Sequence, residues 1–129
     1  MKKWIPLLLS ISTFSYAGVS DLIGNFSREF SSNGDEPDFV VSQHGKSWKV
    51  VAFHSDLEGR LLNKSEKEML FNRLSWTPED INQVECVKFY MQSLCHLPNG
   101  KGPNDDGETV EENYFFFDPL SGLSKVNKK

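Results

Sequence analysis

Residues 84–97 read VECVKFYMQSLCHL, and the two cysteines in this stretch decide how the chain can fold. Ile81, Val84, Val87, Met91 and Leu94 recur at helical spacing. On a continuous helix, however, Cys86 and Cys95 would point to opposite sides about 13 Å apart, whereas bridged Cα atoms lie within about 7 Å. They are the only cysteines in the chain, and an even count in an exported protein favours a disulfide. Pairing requires the segment between them to fold back or break. A helix is therefore expected only over residues 78–85, and residues 84–91 read equally well as a strand. A metal pair or a redox couple would need closer spacing or further His and Cys partners.

Upstream of this stretch, Thr77 is a fitting N-cap, with Pro78 at the first helical position and Glu79 and Asp80 beside the positive end of the helix dipole. Ser65 and Glu68 match the S-x-x-E capping box ahead of Met69, Leu70, Phe71 and Leu74, which predicts a short helix over residues 66–74. Residues 39–42 and 48–53 are rich in β-branched and aromatic residues, and the polar segment 43–47 between them supplies turn chemistry. They form the best hairpin candidate. Val50 and Val51 break the alternation in its second strand and suggest burial on both faces.

Downstream, residues 96–107 are loop by composition. Residues 114–117 are a β-prone aromatic run, and Asp118, Pro119 and Gly122 mark a turn from which residues 123–126 return. Near the start, Val19, Leu22, Ile23, Phe26 and Phe30 recur at helical spacing opposite a polar face, which predicts an amphipathic helix. The order helix, hairpin, helices, hairpin favours a small single α+β domain. In it, an antiparallel sheet of hairpins carries the N-terminal amphipathic helix and one or two short helices packed on it.

Residues 1–17, MKKWIPLLLSISTFSYA, have the charged start, short apolar core and small residues before the break that mark a secretory signal peptide. Cleavage after Ala17 leaves residues 18–129 as one exported domain, periplasmic where an outer membrane exists and secreted otherwise. The apolar run is too short to span a bilayer, so no membrane span is expected after cleavage. The full chain carries a net charge of −4, and the exported domain is more acidic still, since Lys2 and Lys3 leave with the leader. That charge disfavours nucleic acid, whose affinity comes from Lys and Arg releasing counterions from phosphates.

No stretch assembles an active site, a cofactor site or a metal site. Aligning Gly107 with the glycine of an EF-hand loop puts Gly102 and Asn113 where a carboxylate and a bidentate Glu belong. His54, Ser55 and Asp56 are neighbours, but triads come from distant segments, and Ser55 lacks the G-x-S-x-G elbow. His96 beside Cys95 would activate a thiolate only if the cysteine were free. The candidates left are for contact with another protein: the acidic loop residues Asp105, Asp106 and Glu108, and the aromatics Phe115, Phe117 and Trp48.

The expected function is a non-enzymatic exported binding module, an inhibitor or immunity-type protein that neutralises an envelope-directed enzyme. Two alternatives stand beside it. One is an accessory subunit of an envelope or secretion assembly joined through the edge at residues 115–117. The other is a small secreted hydrolase or toxin using His54 and Asp56.

Overall fold

The computed structural model describes residues 20–29, 34–74, 76–98, 100–101, 109–110 and 113–129. The proposed leader, Val19 and Phe30 of the expected first helix, and Asp105, Asp106 and Glu108 lie outside them.

The central stretch folds back at its middle. Strands β1 (Gly24–Arg28), β2 (Phe39–His44), β3 (Ser47–Ala52), β4 (Ser55–Leu61), β5 (Glu85–Phe89) and β6 (Gln92–Leu97) are followed by a separate two-stranded ribbon, β7 (Gly100–Lys101) with β8 (Thr109–Val110), and then by β9 (Asn113–Asp118) and β10 (Gly122–Lys128). All but the ribbon close into an antiparallel barrel in the order β1-β10-β9-β6-β5-β4-β3-β2. Helices α1 (Lys64–Asn72) and α2 (Pro78–Gln83) sit in the connection between β4 and β5.

The closed eight-stranded barrel overturns the expected α+β domain, and the N-terminal helix is where the difference arises. Residues 24–28 form β1, which pairs with β2 on one side and with β10 on the other, Phe26 opposite both Phe39 and Lys128. Helical spacing misleads here because the large apolar residues do different jobs. Phe26 faces the barrel interior, whereas Leu22 precedes the strand and is fully buried in the same core. Closing pairs between β1 and β10 leaves the barrel no free edge strand.

Antiparallel pairing puts partners across a ladder on one face. Phe26, Phe39, Trp48, Val50, Val87, Phe89, Leu94, Tyr114 and Phe116 therefore line the inside and form one core. An eight-stranded barrel is just wide enough for side chains to fill it, and rings fill this one. Phe39 stacks on Phe116 at 4.9 Å and meets Phe89 at 5.9 Å between ring centroids. At one mouth, His96 stacks on Tyr114 at 4.4 Å with its Nδ1 3.7 Å from an Asp21 carboxylate oxygen, and Lys128 donates to the Asp21 carbonyl. The outside of β3 and β4 carries Lys49, Asp56, Glu58 and Arg60, all exposed. Membrane-spanning barrels carry an apolar band there.

Gly59 makes this filling possible. It stands in register with Trp48 on one side and Phe89 on the other, and a Cβ placed on it would come within 2.9 Å of Val87 Cγ2 and 3.3 Å of Trp48 Cβ. Gly59→Val is expected to destabilise the barrel by about 1–3 kcal/mol through overpacking. A lowered urea midpoint at unchanged slope is the check.

A second core lies outside the barrel. Leu62, Phe71, Ile81 and Val84 of the helical connection cover Cys86, Cys95, Leu97 and Phe115 on the outer face of β5, β6 and β9. Cys86 and Cys95 are direct partners across β5 and β6 with Cα atoms 4.1 Å apart, and they form the disulfide. Residues 84–91 are thus strand and turn rather than helix. The helix expected at residues 66–74 forms, but its cap is Asn63: the Asn63 side chain accepts from the Glu66 N–H, and the Glu66 carboxylate accepts from the Asn63 N–H. Thr77 caps α2 by accepting from the Asp80 N–H. The hairpin of β2 and β3 forms with a two-residue turn at Gly45 and Lys46. Val50 faces the core and Val51 faces solvent, so β3 is buried on one face only.

Candidate functional site

Beside the face of α1 that packs on the second core, the helix and its C-cap carry Glu66, Met69, Leu70 and Arg73, with Leu70 at the border and itself packed against that core. These are spaced i, i+3, i+4 and i+7, which is one stripe along a helix. Opposite this stripe, Lys88 of β5, Ser93 of β6 and Phe117 of β9 form one cross-strand row on the barrel's outside. Between the two lies a groove of about 370 Å³, lined also by Leu62, Met91 and Pro119. Met69 is 65% exposed and Met91 55% exposed. Unbranched thioether side chains adapt to different partner shapes, so two of them flanking an apolar groove form a surface suited to docking.

The hairpin tips extend this surface. Tyr90, next to Met91, is 75% exposed, and Leu120 in the turn after Pro119 is 94% exposed. Tyr90 adopts a φ of 57°, and the Phe53–His54 turn has φ values of 53° and 62°. That region suits glycine and asparagine, and an ordinary side chain there costs on the order of 1 kcal/mol.

The groove is cationic although the chain is acidic. Its one acid, Glu66, is held by Arg60 through two hydrogen bonds, Nη1 to Oε1 at 2.7 Å and Nη2 to Oε2 at 2.5 Å. The Arg60 hydrogen bond, then the Asn63 N–H, hold the Glu66 carboxyl down at about 2. Arg73 and Lys88 form no ion pair with any described residue, which leaves two positive charges on the rim.

The depressed Glu66 value has a pH consequence. A carboxylate whose folded value lies below its unfolded one adds stability that is complete above about 4.5 and is lost as pH falls toward about 2. The stability difference between the native chain and Glu66→Gln is therefore expected to hold at neutral pH and to shrink through that window. Urea unfolding of both proteins at steps from about pH 6 to about pH 2.5 checks it.

Of the partner-binding candidates singled out from the sequence, Phe117 is the one among the described residues that lies in the groove. Trp48 is 5% exposed inside the barrel, and Phe115 is fully buried against Phe71 and Trp76, so neither presents a surface to a partner. Strand addition at residues 115–117 has no free edge to use, since β9 is paired with β6 and with β10. Asp56 lies 3.5 Å from Lys49 on the barrel's outside, and His54 occupies the hairpin tip. Sequence reading missed Met69, Arg73, Lys88 and Met91 as surface residues. The one available signal was the stripe Glu66, Met69, Leu70 and Arg73, which continues the apolar surface of the helix past Leu70, at the border of the second core, to the exposed Met69.

The buried disulfide matches an oxidising, extracytoplasmic environment. The chain matches no family model, no curated protein and no solved structure.

Proposed function

We propose that this chain is a non-enzymatic module exported to the periplasm, an inhibitor or immunity-type protein that neutralises an envelope-directed enzyme by docking on it through the groove beside α1. The observation that carries the reading is the exposed pair Met69 and Met91 flanking a groove floored by Phe117, on a barrel whose own interior is packed with rings. Barrels that carry a small ligand hold it inside. Here Phe26, Phe39, Phe89 and Phe116 occupy that space, so recognition falls to the outside.

The test is affinity capture from envelope extracts with residues 18–129 in two forms, native and Met69→Asp. The substituted side chain is mostly in solvent, so the fold is expected to be unaffected, with an unchanged circular dichroism spectrum as the control. A charge placed in the centre of a docking surface is expected to weaken capture at least tenfold, the scale of losing one hot-spot residue. Mass spectrometry should show one soluble enzyme enriched by the native form and depleted by the variant. Equal recovery of the same enzyme by both forms would overturn the groove as the docking site.

A further inference from the structure

We infer that the groove beside α1 receives an amphipathic helix whose apolar face is flanked by acidic side chains. This rests on the reading of the chain as a protein-binding module and specifies the segment it binds. Two observations carry it, one about the backbone and one about charge.

Barrel closure leaves no unpaired strand edge beneath the groove. A segment laid over Leu62, Leu70 and Phe117 loses water from its own N–H and C=O groups, and these then need partners. An extended peptide finds them at a sheet edge. Beneath this groove β5, β6 and β9 are paired on both sides, β5 with β4 and β6, and β9 with β6 and β10. A helix satisfies its backbone internally and needs only a place for its apolar face. The stripe of α1 offers that place, because rows of side chains three and four apart on one helix fit between the rows of another.

The rim of the groove carries the cations Arg73 and Lys88. Arg60 already holds Glu66 through two hydrogen bonds, Lys88 adds only a smaller Coulombic pull on that same carboxylate, and neither Lys88 nor Arg73, which line the groove on opposite walls, forms an ion pair with a described residue. Carboxylates on the flanks of an incoming helix would pair with both, whereas lysines there would meet like charge. Rim charges of this kind set partner choice and encounter rate.

The probes are two synthetic helices of roughly fifteen residues, about the shortest length that is helical alone. One has leucines four apart with glutamates on the flanks, and its twin has lysine in place of each glutamate. Each is titrated into isotope-labelled residues 18–129 at low salt, and backbone amide shifts are followed by NMR. The glutamate helix is expected to move amides at residues 69–73, 88–93 and 117–120, and to bind at least about tenfold more tightly than the lysine helix. Reversing the rim with Arg73→Glu and Lys88→Glu together is expected to reverse that preference.

Equal affinity for the two helices, shifts located elsewhere, or no shifts with either would overturn the inference. So would movement of the same amides on concentrating the protein alone or on adding anionic vesicles in place of the peptides, which would make a second copy or a lipid surface the occupant. A groove indifferent to peptide charge that still loses its captured enzyme on Met69→Asp would sink only this inference and leave the binding reading intact.

Discussion

Phe39→Ala is expected to lower the unfolding free energy by about 3–5 kcal/mol, the usual cost of deleting a fully buried aromatic ring and leaving a partly collapsed cavity. The ring is fully buried where β2 meets β1 and β3, in register with Phe26 and Ala52. It touches three other rings: Phe116 in a stack, Phe89 at a tilt, and Phe53 edge-on at 6.0 Å. Alanine would remove all three contacts at once, and the neighbouring rings cannot close the gap because the strands that carry them are tied into a closed ladder. Domains of this size are stable by about 5–15 kcal/mol, so the variant should sit close to its unfolding threshold at physiological temperature. Urea denaturation is the measurement, with the midpoint falling and the slope unchanged. Leu120→Ala, at 94% exposure, serves as the contrast and should be close to neutral.

Removing the disulfide is the second large effect. Cys86→Ala with Cys95→Ala is expected to cost about 2–3 kcal/mol, in keeping with a short closed loop. Some of this comes from freeing the unfolded chain. The rest comes from the position of the sulfurs, which lie in the second core with Phe71, Leu97 and Phe115 under the helical connection. Both cysteines are fully buried, so the sulfurs are out of reach of reductant while the barrel is folded. Alkylation after mild reduction should therefore label nothing in the native protein and both thiols once urea is added. Prompt labelling under native conditions would show that the helices do not cover the bridge.

How far the sequence could be read depended on the range of the contacts involved. The hairpins of β2 with β3 and of β9 with β10 were legible because turn chemistry and strand composition sit within a few residues of each other. The Asp118 side chain that accepts from the Leu120 N–H, and Gly122 at a φ of 82°, are local devices of this kind. Pairing of Cys86 with Cys95 followed from their even count in an exported chain, and the fold-back between them from the reach of a disulfide. Barrel closure was not local: it rests on Phe26 opposite Lys128 and Arg28 opposite Val126, pairs from the two ends of the described chain. β1 carries little sign of itself, since Phe26 is the one large apolar residue in Gly24–Arg28.

The cap of α1 shows a finer limit. Asn63 with Glu66 and Ser65 with Glu68 are both good capping pairs, and the first is realised, with the Lys67 N–H donating to the Asn63 carbonyl. Starting the helix there leaves Lys67 buried, its ammonium donating to the Val84 carbonyl at 2.9 Å. Met69 is left on the solvent side. The groove is harder still to see in sequence, because its walls come from α1, β5, β6 and β9, and its shape exists only once the connection between β4 and β5 lies down on the barrel. The aromatic run of β9 was visible, but which of its rings would be covered depended on where the helices rest. They cover Phe115 and leave Phe117 half-buried.

The central claim is that this barrel binds its partner on the outside, in the groove beside α1. Amide hydrogen exchange on residues 18–129, alone and with the captured partner bound, tests it most directly. Binding is predicted to slow exchange over residues 69–73, at the turn of residues 90–93 and over residues 117–120, leaving the tips at residues 45–46 and 53–54 unchanged. Protection confined to those two tips, or to residues 20–23 and His96 at the barrel mouth, would contradict the account.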